Sequence, residues 1–176
     1  MLGAAGALCC LAAGTAMGSW LKIRRMTRLD MIRAAMDSLN AMRLLLETER
    51  LPLPDLLENS TAYTGGGHGA ECMRRRFAYT AQQMRTNPLE GIPAAYRAAC
   101  AAHAAPWEQE EEKAALESLF AQLGCGTAAM REQAAAACIR RLKPVEEKAR
   151  AEAEKGGKLC IQLGMLTGLV AGIILW

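Results

Sequence analysis

Charge is missing from both ends of this chain. All 21 Lys and Arg and all 18 Asp and Glu fall between Lys22 and Lys158, so the formal net charge of +3 averages over three segments of different chemistry. Histidine is nearly absent as well: only His68 and His103 are present, which excludes a two-histidine metal motif. The seven Cys include no C-x-x-C pair, so the redox and metal readings that cysteine invites have no local motif behind them. Cys9, Cys10 and Cys160 lie in the uncharged ends, and Cys72, Cys100, Cys125 and Cys138 are scattered, as expected of small buried hydrophobes. Aromatic residues make up only 5%, and no segment alternates apolar and polar residues at strand period, which excludes a β fold.

What the ends do have is apolar length. A hydrocarbon core of ~30 Å takes about 20 apolar residues in helix. Residues 1–21 and 159–176 come close to that length without a charge, which predicts an N-terminal and a C-terminal transmembrane helix around a helical domain at 22–158. A cleaved secretory signal competes for the first segment through the small residues of GTAMGS. It needs positive charge ahead of its apolar run, whereas Lys22, Arg24, Arg25 and Arg28 all follow it. That basic flank, together with Lys155 and Lys158 before the second segment, predicts termini outside and the middle of the chain in the cytoplasm. Gly6, Gly14 and Gly18, with Cys10 between, recur at four-residue spacing, as do Gly164, Gly168 and Gly172. Each stripe is a candidate surface for close helix packing within the membrane.

The middle reads as helix throughout. Leu29, Ile32, Met36, Leu39 and Leu46 share one face of an amphipathic helix running on from the first span. Pro52 and Pro54 stop it, and a short helix restarts at Pro54. NSTAYTGGGHG, residues 59–69, reads as a flexible connector. Its glycines suggest a phosphate cradle, but the Lys-Ser or Lys-Thr pair that such a loop requires is missing. A third helix is predicted over 71–85. Asn87 and Pro88 open a fourth that reaches His103, and Pro106 and Trp107 open a fifth. The carboxylates of Glu108 and Glu110–Glu112 are expected as a solvated first turn complementing the helix dipole. Leu116, Leu119, Phe120 and Leu123 supply its apolar stripe, and Thr127 caps a last long helix through Pro144 to Lys155. The fold class is therefore all-α: an antiparallel bundle of about six helices flanked by two transmembrane helices.

Arg74, Arg75 and Arg76 form the one basic cluster away from the membrane flanks. A nucleic-acid surface needs a broader basic face than a net charge of +3 implies, so plain helix surface, anionic headgroups or an acidic partner are the readings kept. Nothing in the motifs points to a cofactor, a small-molecule substrate or a catalytic constellation.

Several stretches carry a family resemblance: Leu2-Gly3 and Gly18 with the basic stop, Leu39, LLLETERLPLPDLL at 44–57, LESLFAQLG at 116–124, Gln133, and above all KGGKLCIQLGMLTGLVAGIILW from Lys155 onward. The chain resembles the stage III sporulation protein AB family of endospore-forming bacteria. The resemblance implies a non-enzymatic membrane subunit of the secretion-like channel between mother cell and forespore, located in the mother-cell membrane around the forespore. It also implies a cytoplasmic domain similar to the F domain of the type II secretion platform protein. The implied partners are a secretion-type ATPase like stage III sporulation protein AA, other channel membrane subunits and membrane lipid. A generic membrane-tethered adaptor outside any secretion system is the alternative, and a membrane-bound enzyme would need a polar pocket that the sequence does not advertise.

Overall fold

The computed structural model describes the backbone of residues 2–48, 51–124 and 126–174, and side chains at 12, 13, 15–47, 51–124 and 126–154. Among the described residues there is no strand. Six α-helices follow one another: α1 (Leu2–Thr48), α2 (Leu53–Ser60), α3 (His68–Thr86), α4 (Ile92–Ala102), α5 (Glu110–Leu123) and α6 (Ala128–Ile174), with a 3-10 turn at Thr61–Tyr63. The chain divides into two units, one made of residues 27–147 and the other of residues 1–26 with 148–176. Helices α1 and α6, of 47 residues each, contribute to both.

Within 27–147, α1 is the central helix. Beyond the predicted Leu29, Ile32 and Leu39 it buries Met31, Ala34, Ala35, Ser38, Ala41 and Met42, and Met36 and Leu46 are only partly covered. Small residues on its second face let neighbours approach closely. Its partners arrive from several sides. Arg33 Nε donates to Glu146 Oε1 at 2.9 Å and Arg43 Nη2 to Glu132 Oε1 at 3.2 Å, so α6 runs antiparallel to it. The N-terminal end of α3 crosses it so tightly that a Cβ on Gly69 would lie 2.0 Å from the Thr27 carbonyl oxygen. Leu53, Leu56 and Leu57 of α2, and the predicted stripe of α5, complete the core. Phe77, Tyr96 and Phe120, one each from α3, α4 and α5, meet there: the Tyr96 and Phe120 rings stack at 4.0 Å, and Phe77 meets Phe120 edge to face at 5.6 Å.

Four boundaries differ from the sequence reading. NSTAY is not loop: it completes α2 and the 3-10 turn, leaving Thr64–Gly67 as the connector before α3 begins at His68. The glycines there serve packing, since Gly67 has φ 124° and a side chain on it would strike the Asp30 carboxylate of α1. Asn87 does not open α4 but closes α3, its amide donating to Gln83 O at 2.8 Å. Helix α4 starts at Ile92 behind Gly91, whose φ of 78° suits only glycine, with Pro93 in its first turn. Likewise Pro106 and Trp107 form a turn, and α5 starts at Glu110 behind a reciprocal capping box between Gln109 and Glu112. Helix α6 does not end near Lys155 but runs to Ile174, with Pro144 inside it.

Among the described residues no helix is long and apolar enough to cross a membrane. Of the two expected spans, 159–176 lies wholly, and 1–21 for the most part, outside the residues whose side chains are described. The two-span expectation is therefore not met among the described residues.

Candidate functional site

The polar chemistry of the unit 27–147 concentrates where α3, α4 and α5 meet. Arg76 follows Met73 by three residues and precedes Phe77 and Thr80 on the inward face of α3, so its guanidinium is carried into the core. Its Nη1 donates to Glu108 Oε1 at 2.8 Å and its Nε to the His103 carbonyl at 2.9 Å, with the two side chains 1% and 8% exposed. Burial works against the charged guanidinium. The hydrogen bond and charge of Glu108 outweigh it and hold the pKa above the ordinary arginine value. A second buried pair joins α1 to α5, Arg28 with Glu112. Glu108 and Glu112 were expected in solvent. They are the two acids of this stretch that turn inward, because each meets an arginine on a core-facing position of another helix.

The basic cluster at 74–76 is thereby reduced as a surface feature. Arg74 and Arg75 both bond to Glu71, three and four residues back and so about one turn away, and Arg76 is internal. Arg74 and Arg75 share that one carboxylate and remain on the surface, so only Arg76 is withdrawn from the cluster. On the outer side of α2 and α3, Arg85 reaches both Asp55 at 2.5 Å and Glu58 at 2.7 Å, and lowers the Glu58 pKa through that hydrogen bond.

Two surface recesses flank the buried pair. One, of about 450 Å³, is lined by Arg76, Arg97, Cys100, Glu108, Lys113 and Glu117 among others. The other, of about 470 Å³, is lined by Glu58, Arg75, Tyr79, Gln82, Arg85 and His103. The thiols nearby are held protonated. Burial pushes the pKa of both Cys72 and Cys100 up, against a smaller opposing effect of Arg76, and the Cys72 thiol donates to the His103 carbonyl at 3.7 Å. Cys138, buried on α6, donates to Ala115 O at 3.5 Å and is pushed up to about 12 by the same cause. An activated thiolate requires the opposite shift. Among the described residues no group of acids, histidines and cysteines could hold a metal ion. What this arrangement does chemically is lock helices to one another in fixed register.

The residues singled out for topology and membrane packing separate into three groups. Lys22 and Arg24 are exposed on α1, and the Arg24 guanidinium lies over the Trp20 ring, 5.6 Å from its centroid. Arg25 is half-buried, and its Nη1 donates to the Glu152 carbonyl of α6 at 3.4 Å. Arg28 differs from its neighbours in being buried with Glu112, so its charge serves the bundle. Gly18 is buried. The surroundings of Gly6, Gly14, Gly164, Gly168, Gly172, Lys155 and Lys158 lie outside the described residues. Sequence reasoning missed the inward roles of Arg76, Glu108 and Glu112. Their signals were the Gln109-x-x-Glu112 box and an arginine in register with Met73, Phe77 and Thr80.

A family model described as stage III sporulation protein AB matches residues 3–176 of the chain. Neither a curated protein nor a solved structure matches it.

Proposed function

Since the chain belongs to the stage III sporulation protein AB family, with the role in stage III of sporulation that membership carries, we propose that it is a non-enzymatic membrane subunit of a secretion-like complex between mother cell and forespore. Its charge-free ends anchor it as two spans, and the helical unit 27–147 is a cytoplasmic platform for assembly. The observation that carries this reading is the placement of charge: every ionisable Lys, Arg, Asp and Glu lies between Lys22 and Lys158, and α1 and α6 each lead from the bundle into an uncharged end. The interior of the bundle supports an assembly role, because Arg28 with Glu112 and Arg76 with Glu108 are buried ion pairs that tie its segments together, and burial raises the pKa of Cys72 and Cys100.

By analogy with the platform protein of type II secretion, the partner of the helical unit is a secretion-type ATPase, and the spans pack with other channel subunits; this analogy rests on family likeness. The decisive experiment removes residues 159–176 from the native copy while leaving 27–147 intact. Loss of spore formation and of co-purifying membrane subunits is expected. Normal sporulation with an intact complex would refute the reading.

A further inference from the structure

Among the described residues, half of the eight large hydrophobics that stand exposed sit in one stretch of α1: Met17 at 64%, Trp20 at 54%, Ile23 at 62% and Met26 at 49%. The other four, Leu44, Tyr63, Leu89 and Met130, are scattered over four separate segments. The four at 17–26 are three residues apart, and each step of three turns an α-helix by about 300°, so together they sweep about half of its circumference. The covered side is narrow. Gly18 is buried and Leu21 and Arg25 are half-buried, and these three share an arc of about 60°. Lys22 lies just beyond one edge of that arc, and Arg24 falls within the exposed arc between Met17 and Trp20. A single partner helix covers one stripe and leaves the rest in water. An exposed arc this wide, apolar but for Ser19 and Arg24, fits a surrounding medium instead.

The medium is identified by what is interleaved with the apolar residues. Lys22, Arg24 and Arg25 fall within the stretch, and no acid precedes Asp30 in the chain. In the same unit, the α6 segment mixes signs: Lys148, Arg150, Lys155 and Lys158 are partly offset by Glu152 and Glu154, with Arg150 bonded to Glu154 at 2.8 Å. The α1 stretch is the one that carries basic residues with no acid among them. Trp20 under the Arg24 guanidinium combines an apolar ring, a polar N–H and a fixed charge, the chemistry favoured at the level of lipid headgroups.

We propose that residues 17–26 of α1 form a binding collar for acidic phospholipids, with Met17, Trp20, Ile23 and Met26 at the boundary of the acyl chains and Lys22 and Arg24 holding the anionic headgroups. The collar rests on the two-span reading and adds to it a lipid preference and a depth.

The test uses the full chain with Trp107→Phe and Trp176→Phe, which leaves Trp20 as the sole reporter. It is reconstituted into phosphatidylcholine bilayers containing phosphatidylglycerol, with either lipid brominated at a shallow or a deep acyl position. Shallow bromine is expected to quench Trp20 more than deep bromine. At low salt, brominated phosphatidylglycerol should be enriched about fivefold around Trp20 over its bulk fraction, and that enrichment should vanish in high salt or with Lys22→Gln and Arg24→Gln combined. A companion chain retaining only Trp176 reports insertion independently. Quenching of Trp176 without quenching of Trp20, as when a protein helix covers the collar, overturns the collar and leaves the two spans standing. Equal quenching of Trp20 by both lipids overturns the acidic preference, and no quenching of either reporter overturns the collar and the spans together.

Discussion

Arg28 Nε donates to Glu112 Oε1 across 2.5 Å, with the two side chains 5% and 1% exposed, and the other carboxylate oxygen of Glu112 accepts the Gln109 amide at 2.9 Å. One carboxylate thus both starts α5 and ties it to α1, at the end of the bundle that follows the basic run. Removing Glu112 leaves a buried arginine without this counter-charge and a helix without its cap. Glu112→Ala is expected to cost about 3–5 kcal/mol in chemical denaturation of the full chain in detergent. The double change Arg28→Met with Glu112→Leu should recover most of that loss, leaving about 1 kcal/mol for the missing cap. A double variant as unstable as Glu112→Ala alone would show that the charges were not the reason.

Gly69 permits the crossing of α3 over α1. A Cβ there would lie 2.0 Å from Thr27 O and 2.6 Å from the Met31 amide nitrogen, both backbone atoms that cannot step aside. Gly69→Ala is therefore expected to destabilise by about 3 kcal/mol. Gly65, in the same glycine run, has nothing within 4 Å of a would-be Cβ, and Gly65→Ala should stay within about 0.5 kcal/mol of wild type. Thermal unfolding followed by circular dichroism separates the two. Similar midpoints for both variants would contradict the packing account and restore the run to a flexible linker.

Phe120 is the ring that Tyr96 and Phe77 share. Phe120→Ala should cost about 3–5 kcal/mol, since it opens a cavity and ends both ring contacts at once. Phe120→Leu keeps most of the volume and should cost about 1–2 kcal/mol. Near-ultraviolet circular dichroism would report the loss of fixed packing around Tyr96 in the first variant and its retention in the second.

The thiols should rank by burial. With its pKa at about 12, Cys138 is thiolate to only ~10⁻⁴ at pH 8, against roughly a quarter for an unperturbed cysteine. Alkylation at pH 8, read by peptide mass mapping, is expected to modify Cys72 and Cys100 slowly and Cys138 only after denaturant is added. Labelling of Cys138 in the native state at the rate of a free thiol would contradict its place between α5 and α6.

Much of this architecture was legible from periodicity. The faces of α1 and α5 and the break near Pro52 follow from spacing and from residues whose backbone chemistry is unambiguous. Legibility failed where tertiary partners decided. A glutamate at a helix start reads as solvated because the dipole alone favours it there, and nothing local reveals that Arg28 and Arg76 wait on other helices for Glu112 and Glu108. Asn87-Pro88 carries a good helix-start signal, but Gly91 with Pro93 carries a better one four residues on, and the chain uses the latter. The glycines at 67 and 69 looked like slack because a close approach between helices leaves no trace in one sequence.

The most direct test of the account as a whole is affinity capture of the full chain from detergent-solubilised membranes of sporulating cells, with the same chain lacking residues 159–176 as the control. The account predicts that the full chain sediments with membranes and brings down a secretion-type ATPase and other membrane subunits, and that the truncated chain does not. A full chain recovered folded and membrane-bound but without those partners, or a truncated chain that captures them equally well, would contradict it.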